Sequence, residues 1–136
     1  MDEKHARTLV AALAAKDREL RAVVDLDGGS FWVPHAANFE LEFDATKGVL
    51  SARRSPIGFP LDRAPEDADR ARASGQFAKN AAALAPTSVE IVELRAQPKK
   101  WFTVLRWDFD SPKTTEKQLV AAMDKLRKMM ATYRRG

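Results

Sequence analysis

The sequence predicts an α+β fold, a twisted antiparallel sheet with helices packed against it, in the order α-β-β-β-β-α-β-β-α. Three stretches carry that prediction. In Lys99 to Asp110, Trp101, Thr103, Leu105, Trp107 and Phe109 fall on one side of a period-two strand, and Phe102, Val104, Arg106, Asp108 and Asp110 on the other. Phe39, Leu41 and Phe43 alternate with Asn38, Glu40, Glu42 and Asp44, as in a half-buried strand with an acidic outer face. Near the C-terminus, Leu119, Met123, Leu126, Met130 and Tyr133 recur at steps of four and three, the stripe of an amphipathic helix.

The other elements follow in order. Residues 3 to 16 read as a helix, with Asp2 as its cap, Glu3 in its first turn and Leu9, Val10 and Leu13 as a narrow apolar stripe. Leu20, Ala22, Val24 and Leu26 then alternate with Arg21, Val23, Asp25 and Asp27 before Gly28-Gly29-Ser30 and Phe31-Trp32-Val33. This predicts a strand, a tight turn and a second strand, with a helix prolonged to Val24 as the alternative. Pro34 marks a strand end or an edge. Lys47-Gly48 turns the acidic strand back into Val49, Leu50 and Ala52, and Arg53-Arg54 close it.

The segment Ile57-Gly58-Phe59-Pro60-Leu61 is a loop by its backbone residues and apolar by its side chains, so it either tucks under the next helix or offers a patch to a partner. Pro65 at a first helical position, with Glu66, Asp67 and Asp69 behind it, opens a helix that Pro86 stops. Its apolar face runs through Ala71, Gly75, Ala78 and Ala82, with Phe77 and Leu84 as large anchors. Residues 88 to 95 form the next strand, Gln97 to Lys100 make a turn, and Thr115-Glu116-Lys117-Gln118 fits a capping box for the last helix, with Ser111-Pro112 as an earlier alternative start.

With 136 residues, 45% hydrophobic and 31% charged, the chain has the size and composition of one globular domain, residues 1 to 136. No apolar run approaches the roughly 20 residues of a membrane span, and the acidic start lacks the basic region of a signal peptide. A cytoplasmic location without membrane attachment follows as the expectation. The absence of cysteine excludes disulfides and thiolate metal sites. The net charge is +4, but the last 24 residues alone carry +5, so the excess of cations sits on the last helix.

Chemistry is harder to find. His5 and His35 stand in a helix start and a strand end with no spacing that converges them on a metal. Asp25-Leu26-Asp27-Gly28 starts like a calcium loop, but Ser30 stands where glycine is needed and Ala36 where the bidentate glutamate belongs. Arg106, Asp108 and Asp110 share a strand face and would line an acid–base cleft, although an ion pair at a solvated strand end explains them as well. No activated nucleophile and no phosphate-cradling loop is present. No enzyme, metal or cofactor is expected.

The leading helix into LRAVVDLDGGSFWV, the hairpin FELEFDATKGVLSARR, the helix ending NAAALAP, the strands VEIVEL and WFTVLRWDF and the closing helix KQLVAAMDKLRKMM give an order that resembles the type III secretion chaperone and YbjN-like group of bacterial proteins. The resemblance is one of topology. It implies a homodimer that binds an extended segment of another protein without cofactor or catalysis.

The expected function is therefore a non-enzymatic, chaperone-like protein-binding module. Candidate partner contacts are Ile57, Phe59 and Leu61 of the apolar loop and any exposed part of the Met123, Met129, Met130 stripe, since methionine adapts to varied partners. The alternative is a nucleic-acid-binding domain that uses Lys99, Lys100, Lys125, Arg127 and Lys128, with Trp101 and Phe102 as stacking surfaces.

Overall fold

The structure, a computed structural model, describes residues 1–35, 39–54, 60–84, 88–93, 95 and 97–135, and the side chains at 39, 54, 76–84 and 126–135 lie outside the description. Helix α1 (Glu3–Lys16) starts where the sequence places it, with the His5 N–H donating to Asp2 Oδ1 at 2.8 Å. It buries Ala6, Leu9, Val10 and Leu13. The alternative helix to Val24 does not form: Asp17 is the cap, its N–H donating to Leu13 O and its side chain accepting the Glu19 N–H.

Strand β1 (Val24–Asp25) is shorter than its alternation predicts. Leu20 bridges to His35 while Val24 pairs with Trp32, so four steps on one side meet three on the other. This one-residue bulge breaks the strand and leaves Val23 and Val24 about 40% exposed. Bulges of this kind blunt a sheet edge. The turn at Asp27–Gly29 holds both of its glycines at positive φ, which joins β1 to β2 (Phe31–Pro34) in little space.

Strands β3 (Phe39–Asp44) and β4 (Val49–Arg54) make the predicted hairpin. Helix α2 (Asp67–Leu84) leads to β5 (Ser88–Glu93) and β6 (Trp101–Phe109), and α3 (Glu116–Arg135) closes the chain. All pairings are antiparallel, in the order β1-β2-β3-β4-β6-β5. The α+β architecture and its element order are those expected. The Thr115–Gln118 capping box forms in both directions, at 3.0 and 3.2 Å.

One sheet face is apolar. Phe31 and Phe43, Val33 and Leu41, Leu41 and Ala52, Leu50 and Phe109, and Ala52 and Trp107 are cross-strand partners. They pack with Leu9, Val10 and Leu13 of α1 and Leu119, Ala122 and Met123 of α3 in one core. Helix α2 lies along β5 and touches α3. It connects β4 to β5, which run parallel to each other on either side of the antiparallel β6.

Two expectations about α2 need correction. The helix begins at Asp67, so Pro65 lies before it, and the face toward the protein carries Asp69 and Ala73 while Ala71 and Gly75 are exposed. The cause is the anchor at Asp69, whose carboxylate takes two bonds from Arg63, at 2.7 and 3.3 Å, and the Glu66 N–H at 2.9 Å. Ala78, Ala82, Phe77 and Leu84 lie outside the described side chains. The Arg63 hydrogen bond, with the Glu66 N–H behind it, holds the Asp69 carboxyl down at about 2. Its contribution to stability is therefore complete above the ordinary carboxylate value and is lost as pH falls toward 2. Asp69→Asn is expected to lower the melting temperature at neutral pH, with the difference from wild type vanishing near pH 2 in a pH series of thermal melts.

Candidate functional site

The other face of the sheet is polar across β2, β3, β4 and the end of β6 by the same alternation, while Phe102, Val104 and Val92 form a small apolar cluster on it toward β5. Trp32 faces Glu42, Glu40 faces Arg53, Glu42 faces Ser51, Ser51 faces Asp108, and Arg53 faces Arg106. The two arginines are direct cross-strand neighbours, a repulsive arrangement unless each has its own acids. Each does.

Arg106 donates from Nε to Asp108 Oδ1 at 2.6 Å, from Nη1 to Glu90 Oε1 at 3.0 Å and from Nη2 to Ser51 Oγ at 3.3 Å. Ser51 Oγ donates to Asp108 at 2.7 Å, and Ser88 Oγ to Glu90 at 2.9 Å. Burial opposes the Arg106 charge, but Asp108 and Glu90 outweigh it and hold its pKa above the ordinary value. Of the two readings of Arg106, Asp108 and Asp110, the structure shows the ion pair and brings no acid–base cleft together from the three. Arg106 and Asp108 are tied together in an ion-pair network, and Asp110 is exposed beyond the end of β6.

Arg53 is held more loosely. Its Nη1 stands 3.7 Å from Glu40 Oε1 and 3.9 Å from Glu42 Oε2, beyond hydrogen-bond range, and its Nε is buried without a partner. Glu40, with only 1% of its side chain exposed, accepts the Trp32 indole N–H at 2.8 Å and the Arg95 backbone N–H at 3.3 Å, both on Oε2. Its Oε1 is buried with no hydrogen bond. Burial pushes the Glu40 carboxyl above its ordinary value, against the opposing pull of Trp32, Arg53 and Arg95.

Arg95 belongs to the connection between the edge strand β5 and β6, yet it reaches Glu40 and donates from Nε to Glu42 at 3.2 Å on β3, across two intervening strands. The connection thus arches over the polar face. Beneath the arch lies a cavity of about 580 Å³. Val24, Leu26, Trp32 and Pro98 supply its apolar walls, and Glu42, Arg53, Glu93 and Arg95 its charges. That volume lies in the range of small-ligand sites.

No protein-family model, no curated protein and no solved structure matches this chain.

The residues singled out from the sequence are dispersed. Ile57 and Phe59 lie outside the described residues. Leu61 is half-buried and pairs with Trp101 through two backbone hydrogen bonds, so it extends the sheet. Met123, 1% exposed, is core and cannot be a docking contact of the folded chain. The side chains of Met129, Met130, Arg127 and Lys128 lie outside the description. Lys99, Lys100 and Lys125 are exposed; Phe102 is buried with Val104 and Val92 and offers no stacking surface, whereas Trp101 is half-buried.

Both histidines have structural partners, His35 with Asp17 at 3.2 Å and His5 with Thr114 O at 2.7 Å. Among the described residues no group of three His, Asp or Glu side chains is placed to hold a metal ion, and no helix is long and apolar enough to cross a membrane.

The groove residues Trp32, Glu40, Glu42, Arg53 and Arg95 were missed. A signal existed: Glu40 and Glu42 fall on the outer side of their strand, beside a third tryptophan on the neighbouring one. Lys99, at the tip of the arch, has φ of 68°. That conformation is costly for a residue with a Cβ, so Lys99→Gly is expected to raise stability by roughly 0.5 kcal/mol in urea denaturation, the relief being partly offset by chain entropy.

Proposed function

We propose that this chain is a non-enzymatic, chaperone-like protein-binding module, a cytoplasmic homodimer that takes a segment of a partner protein on the sheet face opposite α1 and α3. The observation that carries this reading is the division of the sheet: α1 and α3 pack on one face, while the other keeps a cavity with Trp32 half-buried and Val24 exposed in its lining. Apolar walls beside charged groups suit a segment that buries side chains and pairs its polar groups at once. The self-satisfied network of Arg106, Asp108, Glu90 and Ser51 supports a scaffolding role for the remaining ionisable groups on this face.

The test is suppression of aggregation of a thermally unfolding protein such as citrate synthase, with light scattering after size exclusion at low and at moderate salt. A dimer is expected that slows aggregation equally in both buffers, and Val24→Asp, at an exposed position, is expected to lose that effect while keeping its melting transition. A monomer without effect on aggregation overturns the reading. Co-purifying nucleic acid that salt removes would instead favour the alternative through Lys99, Lys100, Lys125, Arg127 and Lys128.

A further inference from the structure

Resting on that protein-binding reading, we infer that the cavity recognises a neutral carboxamide, presented as an asparagine or glutamine side chain of the bound segment. Arg53 lines the cavity with 17% of its side chain exposed, and its guanidinium, which has five N–H donors, makes no hydrogen bond among the described residues, its nearest acceptors being Glu40 and Glu42 at 3.7 and 3.9 Å. Glu42 lines it too, and Arg95 and Arg53 both approach the same oxygen of its carboxylate, Oε2, which leaves Oε1 for another donor. Glu40, two residues before Glu42 on the same face of β3, keeps an unpartnered oxygen of its own, buried behind the lining. The wall therefore offers donors and an acceptor side by side that do not satisfy each other.

Charge decides what fits. A cation in the cavity meets Arg53 and Arg95, and an anion meets Glu42 and Glu93 with Glu40 behind the lining. A neutral group that both accepts and donates avoids either repulsion. A trans peptide unit points its N–H and C=O to opposite sides, whereas a side-chain carboxamide presents its oxygen and its NH₂ from one end. Trp32 adds a flat wall for the planar amide, and its indole is locked in place by the bond to Glu40 at 2.8 Å.

Three probes that differ at one end group test this: N-acetyl-glutamine methylamide, N-acetyl-glutamate methylamide and N-acetyl-lysine methylamide. Each is titrated into the full chain while the three indole N–H signals are followed by ¹H–¹⁵N NMR, with Trp32 assigned through Trp32→Phe. The glutamine probe is expected to shift the Trp32 signal saturably, with an affinity roughly tenfold or more above either charged probe. Arg53→Lys, which keeps the charge and loses the fork, is expected to remove that preference while the Trp107 core signal stays in place. Equal shifts by all three probes, a stronger shift by a charged probe, or no shift of Trp32 overturns the inference. Aggregation suppression that persists alongside such a result leaves the protein-binding reading standing and rejects only the carboxamide. Failure of both rejects the two together.

Discussion

Phe31→Ala is expected to cost about 3–5 kcal/mol, the range for deleting a buried phenylalanine side chain. Phe31 is fully buried, meets the Phe43 ring edge-on with centroids 5.4 Å apart, and carries the Arg7 guanidinium 4.7 Å from its own centroid. It sits on β2 between the short, bulged β1 and the long β3, so a void there loosens the strand that attaches the sheet's weakest edge. Stabilities of small domains run to about 5–15 kcal/mol, so the variant is expected to lose a large share of the total. Urea denaturation with a paired Val24→Ala control checks this. The control, at a position 41% exposed, is expected to change stability by no more than about 0.5 kcal/mol. A Phe31→Ala loss no larger than the control's would mean that the core does not pass through β2.

Glu40→Ala is the second large effect, with an expected loss of about 3 kcal/mol or more, because it strands Arg53, the Trp32 indole and the Arg95 N–H at once. Glu40→Gln retains an acceptor oxygen and is expected to cost only about 1 kcal/mol at neutral pH. The pH dependence follows from the direction of the Glu40 shift. Its folded pKa lies above the unfolded one, so between the two the folded chain holds a proton that the unfolded chain releases. The stability this supplies is complete below the ordinary carboxylate value and is lost as pH rises through the raised one. Wild type is therefore expected to gain on Glu40→Gln as pH is lowered from neutral toward that window in a pH series of urea titrations. Equal losses from the alanine and glutamine variants would show that Glu40 does not act as the acceptor.

Loss of Glu40 is also expected to release the arch, which makes it the residue that joins fold and candidate site. One carboxylate on β3 holds an indole eight residues back and a backbone N–H 55 residues on.

Much of the fold was legible in the residues. The cap at Asp2, the box at Thr115 and Gln118, the glycine turn after β1 and the alternation in β3 and β6 each follow from local rules whose partners lie within a few residues. The division of β6 into two faces was legible as well: Phe102 and Val104 are buried on one side, Leu105 and Trp107 on the other. Two readings failed where a distant group intervened. The apolar face assigned to α2 ignored Asp69, since an acid in a first turn reads as solvated until Arg63 folds back onto it. The methionine stripe, whose ordinary reading is core, was also offered as a docking surface, and the packing of α3 against α1 and the sheet puts Met123 inside.

The sequence by itself determined which side chains share a face, because periodicity is a property of the local backbone. Only the tertiary structure decided what covers each face. Glu40 alternates like a solvated residue, and it is buried because the β5–β6 connection crosses two strands to reach it. Nothing in the spacing of the chain encodes that approach.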